Sequence, residues 1–225
     1  MMSSRFLFLF TALFVLCCAD TLMAQSFAIK ANAGTKGIGG ELGVSLHEKV
    51  NVRAGANFFT FSYFYETAEN DDFDVDAGLN FTNFSGLIDW HPFGNSLRLT
   101  GGFVYNDNTI TAELQPKQSY TIGGDVYSPD ELGILEAAVT FNPFTPYLAL
   151  GFGNAFRGRS FGMNLEMGAM FQGSPRVAME AEGLLEPSAG QGPQFEQNLS
   201  WFTAYPVLTV SLYYRINRPS KRDLS

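Results

Sequence analysis

Pro206-Val207-Leu208-Thr209-Val210-Ser211-Leu212-Tyr213-Tyr214-Arg215-Ile216 alternates with a period of two. Pro206, Leu208, Val210, Leu212, Tyr214 and Ile216 fall on one side of an extended chain. Val207, Thr209, Ser211, Tyr213 and Arg215 fall on the other. Successive side chains of a strand point to opposite faces, so this is a strand with one apolar and one mixed face.

The same pattern recurs upstream. Phe161, Met163, Leu165, Met167, Ala169 and Phe171 oppose Gly162, Asn164, Glu166, Gly168 and Met170. Leu97, Leu99, Gly101, Phe103 and Tyr105 oppose Arg98, Thr100, Gly102, Val104 and Asn106. Ile29 and Ala31 oppose Lys30 and Asn32, and Leu42 and Val44 oppose Glu41 and Gly43. In 50–65 the apolar set changes phase near Phe58 and Phe59, and in 73–90 near Phe81 to Phe84. A bulge, or a strand leaving its apolar surroundings, would produce each change.

Strands are expected at 27–34, 37–46, 50–65, 73–91, 96–114, 133–142, 146–156, 160–171, 175–183 and 200–216. Short Gly-, Pro- and Asn-containing connections separate most of them, and three longer ones run at 66–72, 115–131 and 183–198. The expectation is an all-β, antiparallel, up-and-down β-barrel that crosses a lipid bilayer. Ten strands are preferred, because all three long loops then share one side, as in outer-membrane barrels. Eight strands is the alternative, reached by joining the first two and losing 175–183.

The distribution of charge decides between a soluble and a membrane barrel. The apolar stripes above contain no charge. The opposite faces carry Lys30, Glu41, Arg53, Asp89, Arg98, Glu136, Glu166, Arg176, Glu180, Glu182 and Arg215. A charge facing lipid at the bilayer midplane costs about 2–4 kcal/mol, which explains clean outward stripes. Lipid also offers no partner to backbone polar groups, so the ladder must close on itself. Trp90, Tyr105, Tyr147, Trp201, Tyr205 and Tyr214 lie near expected strand ends, where amphipathic rings would form interfacial girdles.

Residues 1–24 read as an export signal: Arg5, an apolar run from Phe6 to Cys18, and Ala24 before a cut. The barrel would then occupy 25–216, and 217–225 would be a disordered basic tail. Both cysteines, Cys17 and Cys18, fall in the signal, so the processed chain has no disulfide and no thiolate metal site. The net charge of -8 argues against nucleic acid as a partner, because phosphate binding needs basic clusters. Mean hydropathy is only +0.01, well below that of a helical membrane protein.

Several stretches resemble the OmpA/OmpX-like group of small outer-membrane β-barrels, which includes opacity-type surface proteins, and a poorly characterised proteobacterial branch within it. They are Gly34-Thr35-Lys36-Gly37-Ile38-Gly39, Asp89-Trp90-His91-Pro92-Phe93, 98–106, 146–154, 171–175 and the closing strand. The resemblance implies a fold, an outer-membrane location and assembly by the barrel-assembly machinery, but no particular activity. Such barrels usually close on an aromatic residue, and this chain has Ile216 there, followed by nine more residues to Ser225.

The inward charges comprise five cations and six carboxylates, a near balance that points to mutual pairing. Two outcomes stay open at this point: a lumen plugged by ion pairs, or a small passive pore for ions or small solutes. An outer-membrane lipid-modifying enzyme is a weaker third, because His47 and His91 fall in expected turns with no serine partner. The acidic stretch 66–76 lacks the Gly and terminal Glu spacing of an EF-hand loop and reads as solvated charge. A non-enzymatic surface or envelope protein is therefore expected, without cofactor or metal. Its partners would be outer-membrane lipid and lipopolysaccharide, and no oligomeric state is implied.

Overall fold

The computed structural model describes residues 26–65 and 73–216. The expected export signal, the expected tail and residues 66–72 of the acidic stretch lie outside these. Among the described residues there are thirteen strands: β1 (Phe27–Gly34), β2 (Gly37–His47), β3 (Val50–Tyr65), β4 (Phe73–Trp90), β5 (Leu97–Asn106), β6 (Thr109–Pro116), β7 (Tyr120–Ile122), β8 (Asp125–Tyr127), β9 (Leu135–Thr140), β10 (Phe144–Phe152), β11 (Phe161–Met170), β12 (Arg176–Ala181) and β13 (Tyr205–Ile216). Short helices occupy Pro129–Leu132, Glu186–Ala189 and Gly192–Leu199. No helix among the described residues is long and apolar enough to cross a membrane.

Antiparallel pairing runs β1–β2–β3–β4–β5–β10–β11–β13 and returns to β1, where Phe27 faces Ile216 and Gly34 faces Thr209. Eight strands thus form a continuous ring. β6, β9 and β12 prolong β5, β10 and β11 beyond one end of it, pairing in the order β4–β6–β9–β12. The preferred count of ten separates β9 from β10 and β11 from β12. The chain breaks at Asn142-Pro143 and Gly173-Ser174-Pro175, but it does not reverse there. Proline and glycine interrupt a ladder equally well at a kink and at a turn, so local sequence does not separate the two. The alternative route to eight does not hold either. β1 and β2 remain distinct partners, and Arg176–Ala181 is a strand.

The connection 117–134 and the segment 182–204 leave the ring at the same end as the tight turn at Thr35-Lys36. β3 and β4 pair out to Tyr65 and Val75 at that end as well. Among the described residues, the connections at the opposite end are the short ones 48–49, 91–96 and 153–160.

The ring is inverted relative to a soluble barrel. Ile29, Leu42, Ile88, Leu99, Leu148, Leu165, Leu208 and Leu212 are exposed on its outside. Lys30, Asn32, Glu41, Asn51, Arg53, Asn57, Asp89, Arg98 and Glu166 are buried inside. Interior glycines make room for the long side chains. A Cβ on Gly151 would lie 2.5 Å from Arg98 Nε, and one on Gly162 2.5 Å from the Tyr213 hydroxyl.

The phase changes in β3 and β4 are not bulges. Their mutual register is unbroken from Val50 opposite Trp90 to Tyr65 opposite Val75. What changes is the environment. Beyond Phe58 the side chains of inward parity become apolar: Phe59, Phe61 and Tyr63 on β3, Leu79 and Val75 on β4, Ile110 and Leu114 on β6. The opposite face turns polar, with Ser62, Asp76, Thr111, Glu113, Glu136 and Glu180. Above the ring, then, the polar and apolar sides of the sheet are exchanged, although Phe59, Phe61 and Tyr63 on the apolar side stay exposed.

Candidate functional site

The interior charges meet midway along the ring. β3 points Arg53 inward, flanked by Glu41 on β2 and by Asp89 near the end of β4. Arg53 Nη1 donates to both Glu41 oxygens, at 2.7 and 2.8 Å. Its Nε donates to Asp89 Oδ1 at 3.1 Å, and its Nη2 donates to Glu166 Oε2. Arg98, from β5, donates through Nη2 to the same Glu166 oxygen at 2.7 Å and through Nη1 to the Gly153 carbonyl at 2.9 Å. Lys30 Nζ stands 3.7 Å from Glu41 and 4.0 Å from Asp89. Thr100 Oγ1 donates to Asp89 Oδ1 at 2.7 Å, and the Tyr147 hydroxyl donates to Glu166 Oε1 at 2.8 Å.

Lys30, Arg53 and Arg98 face Glu41, Asp89 and Glu166, so three cations meet three carboxylates and the cluster is neutral. With Tyr147 it draws on seven of the eight ring strands. All seven side chains are buried. Charges removed from water persist only when paired: Arg53 and Arg98 pair through hydrogen bonds, and Lys30 pairs by charge alone, at 3.7 and 4.0 Å. Chemically the arrangement is a set of mutually paired charges, with Arg98 Nε left without a hydrogen-bond partner among the described residues. Neither a nucleophile nor an oriented base stands free in it, and no metal-binding group of His, Cys, Asp or Glu occurs among the described residues.

The other charges of the expected lumen set lie elsewhere. Glu136, Arg176, Glu180 and Glu182 are on and beside the extension above the ring, outside the lumen. Glu113, Glu136 and Glu180 stand directly opposite one another on β6, β9 and β12, on the water-facing side. Period-two reasoning carries the inward parity across the kinks, and the structure does not. Arg215 sits at the short-turn end and donates through Nη2 to the Gly158 carbonyl at 2.6 Å.

The expected aromatic girdle divides as well. Tyr147 is only 1% exposed and belongs to the interior cluster. Tyr205 is half-buried and donates its hydroxyl to the Thr35 carbonyl at 2.7 Å. Trp201 is 75% exposed, in the segment beyond the ring. Trp90 and Tyr214 project outward near the short-turn end, and Tyr105 projects outward near the other. Around Tyr105 runs a belt that alternation alone does not reveal: Phe58–Phe84, Phe84–Tyr105 and Tyr105–Phe144 have ring centroids 6.0, 6.5 and 5.5 Å apart. It lies where the polarity of the sheet inverts. Lys36 is a further interior residue absent from the expected set. It folds inward from its turn, buried, with Nζ 5.2 Å from the Tyr147 ring centroid. A lysine in a Gly-Thr-Lys-Gly turn carries no signal that it will point inward.

His91 is a structural turn residue by geometry. Its backbone N–H donates to the Lys49 carbonyl at 2.8 Å, and its Nδ1 lies 3.0 Å from the Asn95 carbonyl. Burial pushes its pKa below the usual histidine value, against the opposing pull of Asp89.

No protein-family model matches the chain. No curated protein matches it by sequence. Among solved structures, it is similar to CarO of Acinetobacter baumannii, at 21% identity and a TM-score of 0.57, over 83% of this chain and 96% of that one. CarO2 of the same organism aligns at 20% identity and a TM-score of 0.58, over 85% and 98%. At this identity the likeness establishes the fold, that of an outer-membrane β-barrel.

Proposed function

We propose that this chain is a non-enzymatic outer-membrane protein: an eight-stranded transmembrane barrel closed by its interior ion pairs, which holds the extended sheet and loops above the membrane. The observation that carries the reading is a buried cluster of three cations ion-paired to three carboxylates inside a ring whose outer wall is apolar. An eight-stranded interior is just wide enough for side chains to fill it, so such a cluster leaves no wide aqueous path. The height of the wall fits as well. Phe144 in the upper aromatic belt and Phe152 near the opposite end lie on one strand. At ~3.3 Å per residue and a tilt of ~40°, they are about 20 Å apart along the barrel axis, close to the ~25 Å apolar band of such barrels.

Outer-membrane lipid would contact the apolar wall, and lipopolysaccharide would surround the upper belt. The barrel-assembly machinery would insert the chain, and nucleic acid has no place in this scheme. The working surface would be the extension and its loops. Planar-bilayer recordings of the refolded protein test the seal. The expected result is no steady single-channel conductance. Regular openings in the unmodified protein would refute the seal and favour a small passive pore.

A further inference from the structure

On the outer side of the charge cluster, a second set of interior side chains is conspicuous for lacking partners. Asn32, Asn57, Asn83 and Asn106 are each no more than 5% exposed. The register makes them one row. Asn32 faces Gly39, Gly39 faces Asn57, Asn57 faces Asn83, and Asn83 faces Asn106, across β1 to β5. Directly opposed residues have Cβ atoms about 5 Å apart, so three of the amides adjoin. The side chain missing at Gly39 leaves a gap between the first two.

Among the described residues, Asn83 Nδ2 donates to Asn108 Oδ1 at 3.1 Å. Both side-chain polar atoms of Asn32 and of Asn106, Asn57 Nδ2 and Asn83 Oδ1 have no hydrogen-bond partner. That leaves three amide donors and three amide acceptors, all within the lumen. Interchanging O and N on any amide leaves the mixture of donors and acceptors. Buried polar groups are costly unless paired, so the row requires an occupant that both donates and accepts. A cation would meet only the oxygens, and an anion only the N–H groups. Hydroxyl groups meet both.

We propose that the Asn32–Asn57–Asn83–Asn106 row is a binding track for small neutral hydroxylic molecules, either water in file or a polyol. The track rests on the interior geometry and not on the seal. A conducting protein would overturn the seal and leave the track, whereas a dry row would overturn the track and leave the seal.

The test is solution NMR of the isotopically labelled full-length barrel in lipid nanodiscs. Side-chain amide signals of Asn32, Asn57 and Asn106 are expected to cross-relax with water despite their burial, which identifies water as the occupant. If glycerol or sorbitol is added and the same signals shift saturably while their cross-relaxation with water disappears, the occupant is a polyol. Either result supports the track. Amide signals that cross-relax only with protein, unchanged by either polyol, overturn it. In the N57L/N83L variant, the cross-relaxation of Asn32 and Asn106 with water or polyol is expected to vanish while the Tyr147 signals stay in place. Should that variant not fold, the measurement on the unmodified protein decides alone.

Discussion

Replacing Arg53 by alanine removes the one side chain that touches all three carboxylates of the interior cluster. Four hydrogen bonds disappear: two to Glu41 at 2.7 and 2.8 Å, one to Asp89 at 3.1 Å and one to Glu166. Three carboxylates then face Lys30 and Arg98, with Lys36 buried beside Tyr147, so the ion-paired set loses one of its three cations. Summing four charge-assisted bonds would overstate the loss, because Lys30 and entering water recover part of it. Breaking a buried ion pair from one side costs about 3–5 kcal/mol, and that range is expected here. Denaturant titration in lipid vesicles, followed by the fluorescence of Trp90 and Trp201, measures it. The same variant is expected to leak in planar bilayers, since the side chain that joins the three carboxylates no longer fills the centre. The R53M variant, which restores bulk without charge, should stay nearly as unstable but leak less. A loss below about 1 kcal/mol, with bilayers still silent, would refute the claim that this cluster braces and closes the barrel.

Further outcomes follow from other parts of the molecule. Leu212→Arg, midway along the outer wall, should cost about 2–4 kcal/mol, and Thr111→Arg on the water-facing side of the extension under about 0.5 kcal/mol. Equal costs in vesicle unfolding would disprove the inversion of faces at the upper belt. Tyr147→Phe deletes the donor to Glu166 Oε1 and should cost about 1.5–3 kcal/mol in the same titration, and a neutral effect would show that Glu166 is saturated by the arginines. Gly151→Ala would push a methyl against the Arg98 guanidinium and should cost about 1–3 kcal/mol. For His91, the folded pKa lies below the ordinary 6.5 of the unfolded chain. The unfolded state therefore takes up the proton first as pH falls, so this stability is present above 6.5 and is lost on acidification below it. Unfolding free energies at about pH 8 and about pH 5 should differ less in His91→Gln than in the unmodified protein, and an unchanged difference would exclude His91 as a source.

Much of the site is legible without any fold. Six of the eleven charges on the polar faces meet in one cluster: Lys30, Glu41, Arg53, Asp89, Arg98 and Glu166. Alternation finds them because it assigns each strand's faces without reference to its neighbours. It misplaces Glu136, Arg176 and Glu180 for the same reason. Alternation says which side of its own strand a residue occupies, but not whether that strand is still within the ring. Tyr147 reads as an interfacial ring because it lies near a strand end in sequence. On β10, however, Phe144, Leu148, Leu150 and Phe152 take the outer face, so parity places Tyr147 inside with Thr145 and Ala149.

The amino-acid order alone determined the extended conformation of the ring segments, their apolar side and the two points where the phase of β3 and β4 changes. These are consequences of a two-residue repeat, which is a property of the local chain. It did not determine the β7–β8 hairpin or the short helices, which fall in stretches it gives as loops. Only the tertiary structure decided that the strands close as a ring of eight, that the phase changes mark the rim of that ring, and that Arg53 meets Glu41, Asp89 and Glu166. Each of those depends on which strands become neighbours and in what register. A proline or glycine break reads the same whether the chain bends or turns back, and hydrogen bonding to distant strands determines which of the two occurs.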